Sequence, residues 1–314
     1  MNNTALQVKQ EIAKNEHNGY GANIFEIFSK YQDSKAVADM FIDRKYPKGV
    51  YCPHCDSVNV CRRKDSIKKF QCNGCNNSFS IFRSSVLANT RTELRKWLVA
   101  IQMIVNGKKG VSAYQIQRTI GGTYKTSYRM GQQIRKAMSD SVSSEEFQTI
   151  IEVDETYVGG KPRRGDKNVK RGRGTRKTPV IGVFGRTEKK IHAKVALPNA
   201  EGKKLTGLQL LNVIEQVATK TADVHTDEFR AYNILDKSGW YHLKVNHSLG
   251  EYARDGIHVN NVENFWSLLK RGIMGSFHHV SEKRLQRYID EFCWRFNNRK
   301  NKDIFSDLLG RVVG

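Results

Sequence analysis

The sequence has no apolar run of 18 residues, the length at which a helix crosses a bilayer, so no transmembrane helix is expected. Its opening stretch, MNNTALQVKQEIAKNEHNGY, lacks the apolar centre of a secretory signal, which leads to an intracellular expectation. Acidic residues are scarce: 31 Asp and Glu stand against 53 Lys and Arg, for a net charge of +22. An excess of that size favours polyanionic partners, because each phosphate neutralised releases condensed counterions. No long amphipathic helix gathers the basic residues, which argues against a membrane surface as the partner. Internal repeats and low-complexity tracts are also missing. Hydrophobic residues make up 39% of the chain, enough for real cores, and 314 residues leave room for two or three units.

Cysteine is sparse too, at six residues, and in an intracellular chain such cysteines point to metal rather than disulfides. Four of them form CPHC (Cys52, Cys55) and CNGC (Cys72, Cys75), separated by 16 residues. Two such knuckles supply four thiolates for one tetrahedral, structural Zn²⁺ with no open position for catalysis. His54 and Cys61 are spare ligands beside a complete set. Cys293 falls on an apolar helical stripe and reads as core. The zinc ribbon is expected over residues 46–84, after an N-terminal helical segment, 1–45.

Residues 85–140 read as helical. After the run ELRKWLVAIQMIV, Ser112 caps a helix through Ile120, GGT turns the chain, and Lys125 to Met138 forms a second helix. Between Ser112 and Met138 there are five Lys or Arg and no acid. One reading is a helix-turn-helix whose second helix enters the major groove through Lys125, Ser127, Tyr128, Arg129 or Gln132; the other is an ordinary helical hairpin. Beside a zinc ribbon and a strongly basic composition, double-stranded DNA is the favoured partner.

From residue 146 to 314 the pattern becomes three strands, helix, strand, helix, strand and closing helices. That order fits a mixed sheet of the ribonuclease H type flanked by helices. A basic, glycine-bearing loop, 161–177, interrupts the first two strands. It carries nine Lys or Arg, and its candidate phosphate contacts are Arg163, Arg164, Lys170, Arg171 and Arg173.

Three acids stand where such a sheet would bring them together: Asp154 within the first strand, Asp227 at the end of the strand ADVHTDEF, and Glu263 in NNVENFWSLLK. An ionised residue inside a sheet is costly unless paired or bound to metal. Three carboxylates can hold two Mg²⁺ (or Mn²⁺) ions, which serve phosphoryl transfer. Neighbouring acids leave the choice open. Glu152 shares a strand face with Asp154, Glu155 and Glu228 would point elsewhere, and each is also readable as a solvated charge. Around Glu263, the residues Val262, Phe265, Trp266, Leu268 and Leu269 supply an apolar stripe. Seven helical residues turn through about 700°, so Glu263 and Lys270 share a face. Trp266 reads as core.

CPHC with CNGC, GVSAYQIQRTIGGTYKTSYRMGQQIR, VDETYVGGK, HTDEFRAY, VNHS, NNVENFWSLLKRGIMGSFHHVS and LQRYIDEFCWRFNNR together resemble the DDE-class insertion-sequence transposases of the ISXO-like group, which is related to eukaryotic Merlin elements. The resemblance spans residues about 40 to 299. It implies Asp154, Asp227 and Glu263 as catalytic, magnesium-binding acids, with Lys270 as the basic residue trailing the glutamate. The implied activity is metal-dependent cleavage and transfer of DNA strands at terminal inverted repeats, by a homodimer or larger oligomer on transposon-end and target DNA. The compartment would be the bacterial cytoplasm, at the nucleoid, or a eukaryotic nucleus. FRSS replaces the TGT-like turn of relatives at the ribbon's exit, and Asn260 or Asn261 remains a rival at the third acidic position. A catalytically silent DNA-binding regulator and a structure-specific nuclease are the alternative functions.

Overall fold

The structure is a computed structural model that describes residues 23–139, 147–159, 177–196, 198, 205–245 and 256–314. By its contacts the chain divides into two compact units, one running to Ala137 and taking in Lys300–Gly314, the other spanning Met138–Arg299.

The first unit begins with helices α1 (Ile24–Lys30) and α2 (Ser34–Lys45), capped by the side chains of Asn23 and Asp33. Three short strands follow, β1 (Val60–Arg62), β2 (Lys69–Cys72) and β3 (Ser78–Ser80), in one antiparallel sheet. Helix α3 (Leu94–Asn106) is buried nearly all round, which its almost unbroken apolar sequence requires of a central helix. Next come α4 (Ala113–Ile120) and α5 (Tyr124–Ala137). A reciprocal cap between Ser112 and Gln115 starts α4, and Gly121 and Gly122, both at positive φ (72° and 85°), make the turn. The last helix, α10 (Ile304–Val313), packs on α2, α3 and α5 through Leu308, Leu309 and Val312, so the end of the chain completes the first unit's core.

The second unit is a mixed five-stranded sheet flanked by helices. Strands β4 (Ile150–Val158), β5 (Thr178–Gly185) and β6 (Lys190–Val195) form an antiparallel meander. Strands β7 (Asp223–Thr226) and β8 (Tyr241–Lys244) run parallel to β4, giving the order β6-β5-β4-β7-β8. Side chains alternate across the sheet. Ile151, Val153, Ile181, Val183 and Val224 meet α6 (Gly207–Glu215) and α7 (Asn233–Lys237) on one face. Val158, Val180 and Phe184 meet α8 (Asn260–Gly272) and α9 (Glu282–Asn297) on the other. Cys293 lies in this second core, where burial pushes its thiol up. Helix α6 ends at Glu215, and the residues beyond it turn to bridge Ala218 to Phe147 beside the sheet. Among the described residues no helix is long and apolar enough to cross a membrane.

Candidate active site and metal centre

Strand pairing places the acids. In the parallel ladder Ile150 lies opposite Asp223, Ile151 opposite Val224, and Glu152 opposite His225. Two residues further along the same register, Asp154 comes level with Asp227, just past the end of β7. Here β7 ends and its parallel pairing with β4 stops, the kind of place where open α/β sheets hold their ligands. Carboxylate oxygens of Asp154, Glu155 and Asp227 lie within 4.8 Å of one another.

The alternation of β4 sends Asp154 and Glu155 to opposite faces, and the sequence reading therefore set Glu155 aside. The structure corrects this. β4 stays paired with β5 out to Val158, while its pairing with β7 stops at Glu152. The edge is open at residues 154 and 155, and side chains from both faces reach it.

Each acid has a partner. Trp266 Nε1 donates to Asp154 Oδ2 over 3.0 Å, the buried Tyr232 hydroxyl donates to Glu155 Oε2 over 3.0 Å, and the Phe229 amide donates to Asp227 Oδ1 over 3.0 Å. Gly182, opposite Asp154 on β5, leaves room for the indole: a Cβ there would meet the Trp266 ring at 2.5 Å. Trp266 is 3% exposed, so it is a core residue that also holds an acid. Burial, then the charges of Glu155, Asp227 and Glu263, raise the Asp154 carboxyl to about 8. Burial and the facing carboxylates hold the Tyr232 phenol well above its usual range, which keeps it a donor. Behind Asp227, the Thr226 hydroxyl donates to the Asp227 carbonyl (2.7 Å) and lies 2.8 Å from His242 Nε2, whose Nδ1 is 2.8 Å from Asp236. The sequence reading passed over this chain, since YHLKV shows only strand character.

Glu263 stands in the first turn of α8, exposed, with Lys270 exposed two turns later. It lies outside the group of three close carboxylates, although its charge is felt at Asp154. Glu152 is no solvated charge: its side chain is fully buried and paired with Arg186. A cluster of hard oxygen donors with one carboxyl pushed up by burial and by its neighbours' charges suits a divalent cation such as Mg²⁺ or Mn²⁺, whose charge offsets both.

In the first unit the Sγ atoms of Cys52, Cys55, Cys72 and Cys75 also lie within 4.8 Å of one another. The two knuckles are built alike. The amides of Cys52 and Cys72 bond the carbonyls of Ser57 and Asn77, and Asp56 and Asn76 take the left-handed conformation those turns need. The amides of Cys75 and Gly74 draw the Cys72 thiol down to about 6. Four converging soft donors, two of them (Cys72 and Cys75) favouring thiolate, fit zinc.

On α5 the residues read as DNA contacts divide. Lys125 and Arg129 are exposed, whereas Ser127 is 0% and Gln132 is 3% exposed, both turned into the unit's interior by the helical period. Tyr114, Tyr124 and Tyr128 form a row of ring contacts beside Lys125 and Arg129. Arg163, Arg164, Lys170, Arg171 and Arg173 lie outside the described residues.

A mixed sheet with acids gathered beside the ends of its parallel strands defines a class of nucleases and transposases. The sequence assigns the family: residues 146–297 match the ISXO2-like transposase domain. The chain is 32% identical over 120 residues to an uncharacterized transposase-like protein of Haemophilus influenzae, an alignment covering 38% of this chain and 92% of that one. It is 29% identical over 277 residues to an uncharacterized protein in transposable element ISH50 of Halobacterium salinarum, covering 84% of this chain and 91% of the relative. The protein belongs to the ISXO2-like transposase family. Among solved structures, the pre-cleavage Mos1 transpososome is similar at 12% identity over 68% of this chain and 77% of that one, with a TM-score of 0.28, a likeness too slight to argue from.

Proposed function

We propose that the protein binds the terminal inverted repeats of an insertion sequence and catalyses divalent-metal-dependent cleavage and transfer of DNA strands. The observation that carries this reading is the acid group at the open edge of β4 and β7, faced by a helix that presents Glu263 and Lys270 on one side. Asp154, Asp227 and Glu263 are the proposed catalytic acids, with Glu155 beside them. Two ions held there would activate the attacking oxygen and stabilise the leaving one. Trp266 and the Phe229 amide fix Asp154 and Asp227 in place. Lys270, about 10 Å along the helix from Glu263, is placed for a phosphate of the bound DNA end.

In this reading residues 46–84 form a zinc ribbon around one structural Zn²⁺. Residues 85–140 form a DNA-binding helix-turn-helix working through Lys125 and Arg129. Residues 146–299 carry the ribonuclease H-like chemistry, assisted by the 161–177 loop, whereas 300–314, which the sequence reading counted with them, belong to the first unit. The partners are transposon-end and target DNA, bound by a homodimer or larger assembly where the cell keeps its DNA.

The test is incubation of labelled terminal repeats with Mg²⁺ and a target plasmid. Nicking at the end followed by joining of the 3′-OH to the target is expected; cleavage without joining would make it a nuclease, and neither would make it a regulator. Glu263→Gln should abolish both steps while end binding persists in a gel shift. A Glu263→Gln chain that cuts at the parent rate removes Glu263 from the site.

A further inference from the structure

Glu152 belongs to the same strand as the acid cluster and takes no part in it, yet it has several partners of its own. It faces α8 because it sits two residues before Asp154. Its carboxylate lies 2.6 Å from Arg186 Nε and 3.2 Å from His258 Nδ1. It accepts from the Asn261 amide (2.8 Å), the Asn261 side chain (2.7 Å) and the Val262 amide (3.3 Å). Those two amides are orphan donors of the first turn of α8, and the helix's own N-cap, Val259, offers no side-chain acceptor. A strand carboxylate thus supplies the missing cap, with the sign of charge that a helix N-terminus favours.

Arg186 extends the clamp. Besides binding Glu152, it donates to the carbonyls of Gly256 (2.7 Å) and His258 (2.9 Å), in the segment that leads into α8. One turn further on, Trp266 bonds Asp154. The helix is therefore pinned to one face of β4 at two side chains of that strand, and Glu263 lies between the pins, directly after Val262.

The geometry points to Glu152 as a positioning residue: together with Arg186 it fixes the first turn of α8 and so aims Glu263 at the Asp154–Asp227 group. This rests on the reading of Glu263 as the third acid. A carboxylate has two acceptor oxygens, one for the guanidinium and one for the helix amides. A glutamine has one, so Glu152→Gln leaves one set of donors unbonded.

The experiment measures Mn²⁺ affinity by calorimetry, with thermal melting alongside, on the full chain as parent, Glu152→Gln, Glu263→Gln and the double variant. Glu152→Gln should weaken Mn²⁺ binding by about tenfold or more, as loss of an outer partner of a metal ligand does. In the Glu263→Gln background it should change the affinity less than about twofold, because its effect passes through Glu263. Equal weakening in both backgrounds would mark a general loss of packing and overturn the proposal, as would parent affinity in Glu152→Gln while Glu263→Gln is impaired. If Glu263→Gln alone binds Mn²⁺ and cleaves as the parent does, the reading of Glu263 fails and this proposal fails with it. Should Glu152→Gln not fold, Arg186→Lys keeps the charge and loses the fork to Gly256 and His258; it should weaken Mn²⁺ binding with the same dependence on Glu263, and parent affinity would overturn the proposal.

Discussion

The indole of Trp266, seated in the space that the missing side chain of Gly182 leaves for it, donates its Nε1–H to Asp154 Oδ2. With Asp154 protonated below about 8 in the metal-free protein, this is a bond between neutral groups, worth about 0.5 to 1.5 kcal/mol, so Trp266→Phe should lower unfolding stability by about that much and slow cleavage. Gly182→Ala should do the same by another route, since its Cβ would stand 2.5 Å from the ring. Melting curves and Mg²⁺-dependent cleavage rates check both. Trp266→Phe cutting at the parent rate would mean that the sheet alone holds Asp154.

Asp154 carries a pH signature. Its carboxyl is raised from 3.8 to about 8, chiefly by burial and by the charges of Glu155, Asp227 and Glu263. In the metal-free protein the folded state keeps a proton that the unfolded chain has already lost. The stability this group contributes is full below 3.8 and is lost as pH rises toward about 8. A cation must displace that proton, so Mn²⁺ affinity should climb with pH and level off above about 8. Titrations at stepped pH would show it, and Asp154→Asn should flatten the climb.

The cysteine cluster predicts about one zinc per chain by elemental analysis. Cys72→Ser should lose the metal and lower the melting temperature of the first unit. Cys61→Ser, an exposed thiol outside the cluster, should keep both. A Cys72→Ser protein with unchanged zinc content would refute the assignment.

For DNA, the exposed and buried sides of α5 should separate in experiment. Lys125→Ala and Arg129→Ala should weaken end binding and reduce its salt slope by about one phosphate contact each. Gln132→Ala should lower stability instead, because the residue is 3% exposed. Deleting residues 161–177 should flatten the salt dependence while discrimination between element ends and random DNA survives. If discrimination vanished and the slope stayed, the roles of loop and helices would be reversed.

Local periodicity and spacing were sufficient for much of this. The Cys-x2-Cys pairs, the Ser112 cap, the glycine turn between α4 and α5, the succession of strands and helices along the second unit and the apolar stripe of α8 are all carried by residues within a few positions of one another. Whatever depends on distant partners was decided by tertiary structure alone. Glu155 reaches the acid group because β7 stops short beside β4, which no alternation within β4 reveals. Glu152 becomes a buried cap because the first turn of α8, more than a hundred positions away in sequence, has amides with no other acceptor. The same holds for α10: its stripe of Leu308, Leu309 and Val312 marks a face to be buried, but only packing chose α2, α3 and α5 to cover it. A sequence fixes which side chains need a partner; the folded chain fixes which partner is within reach.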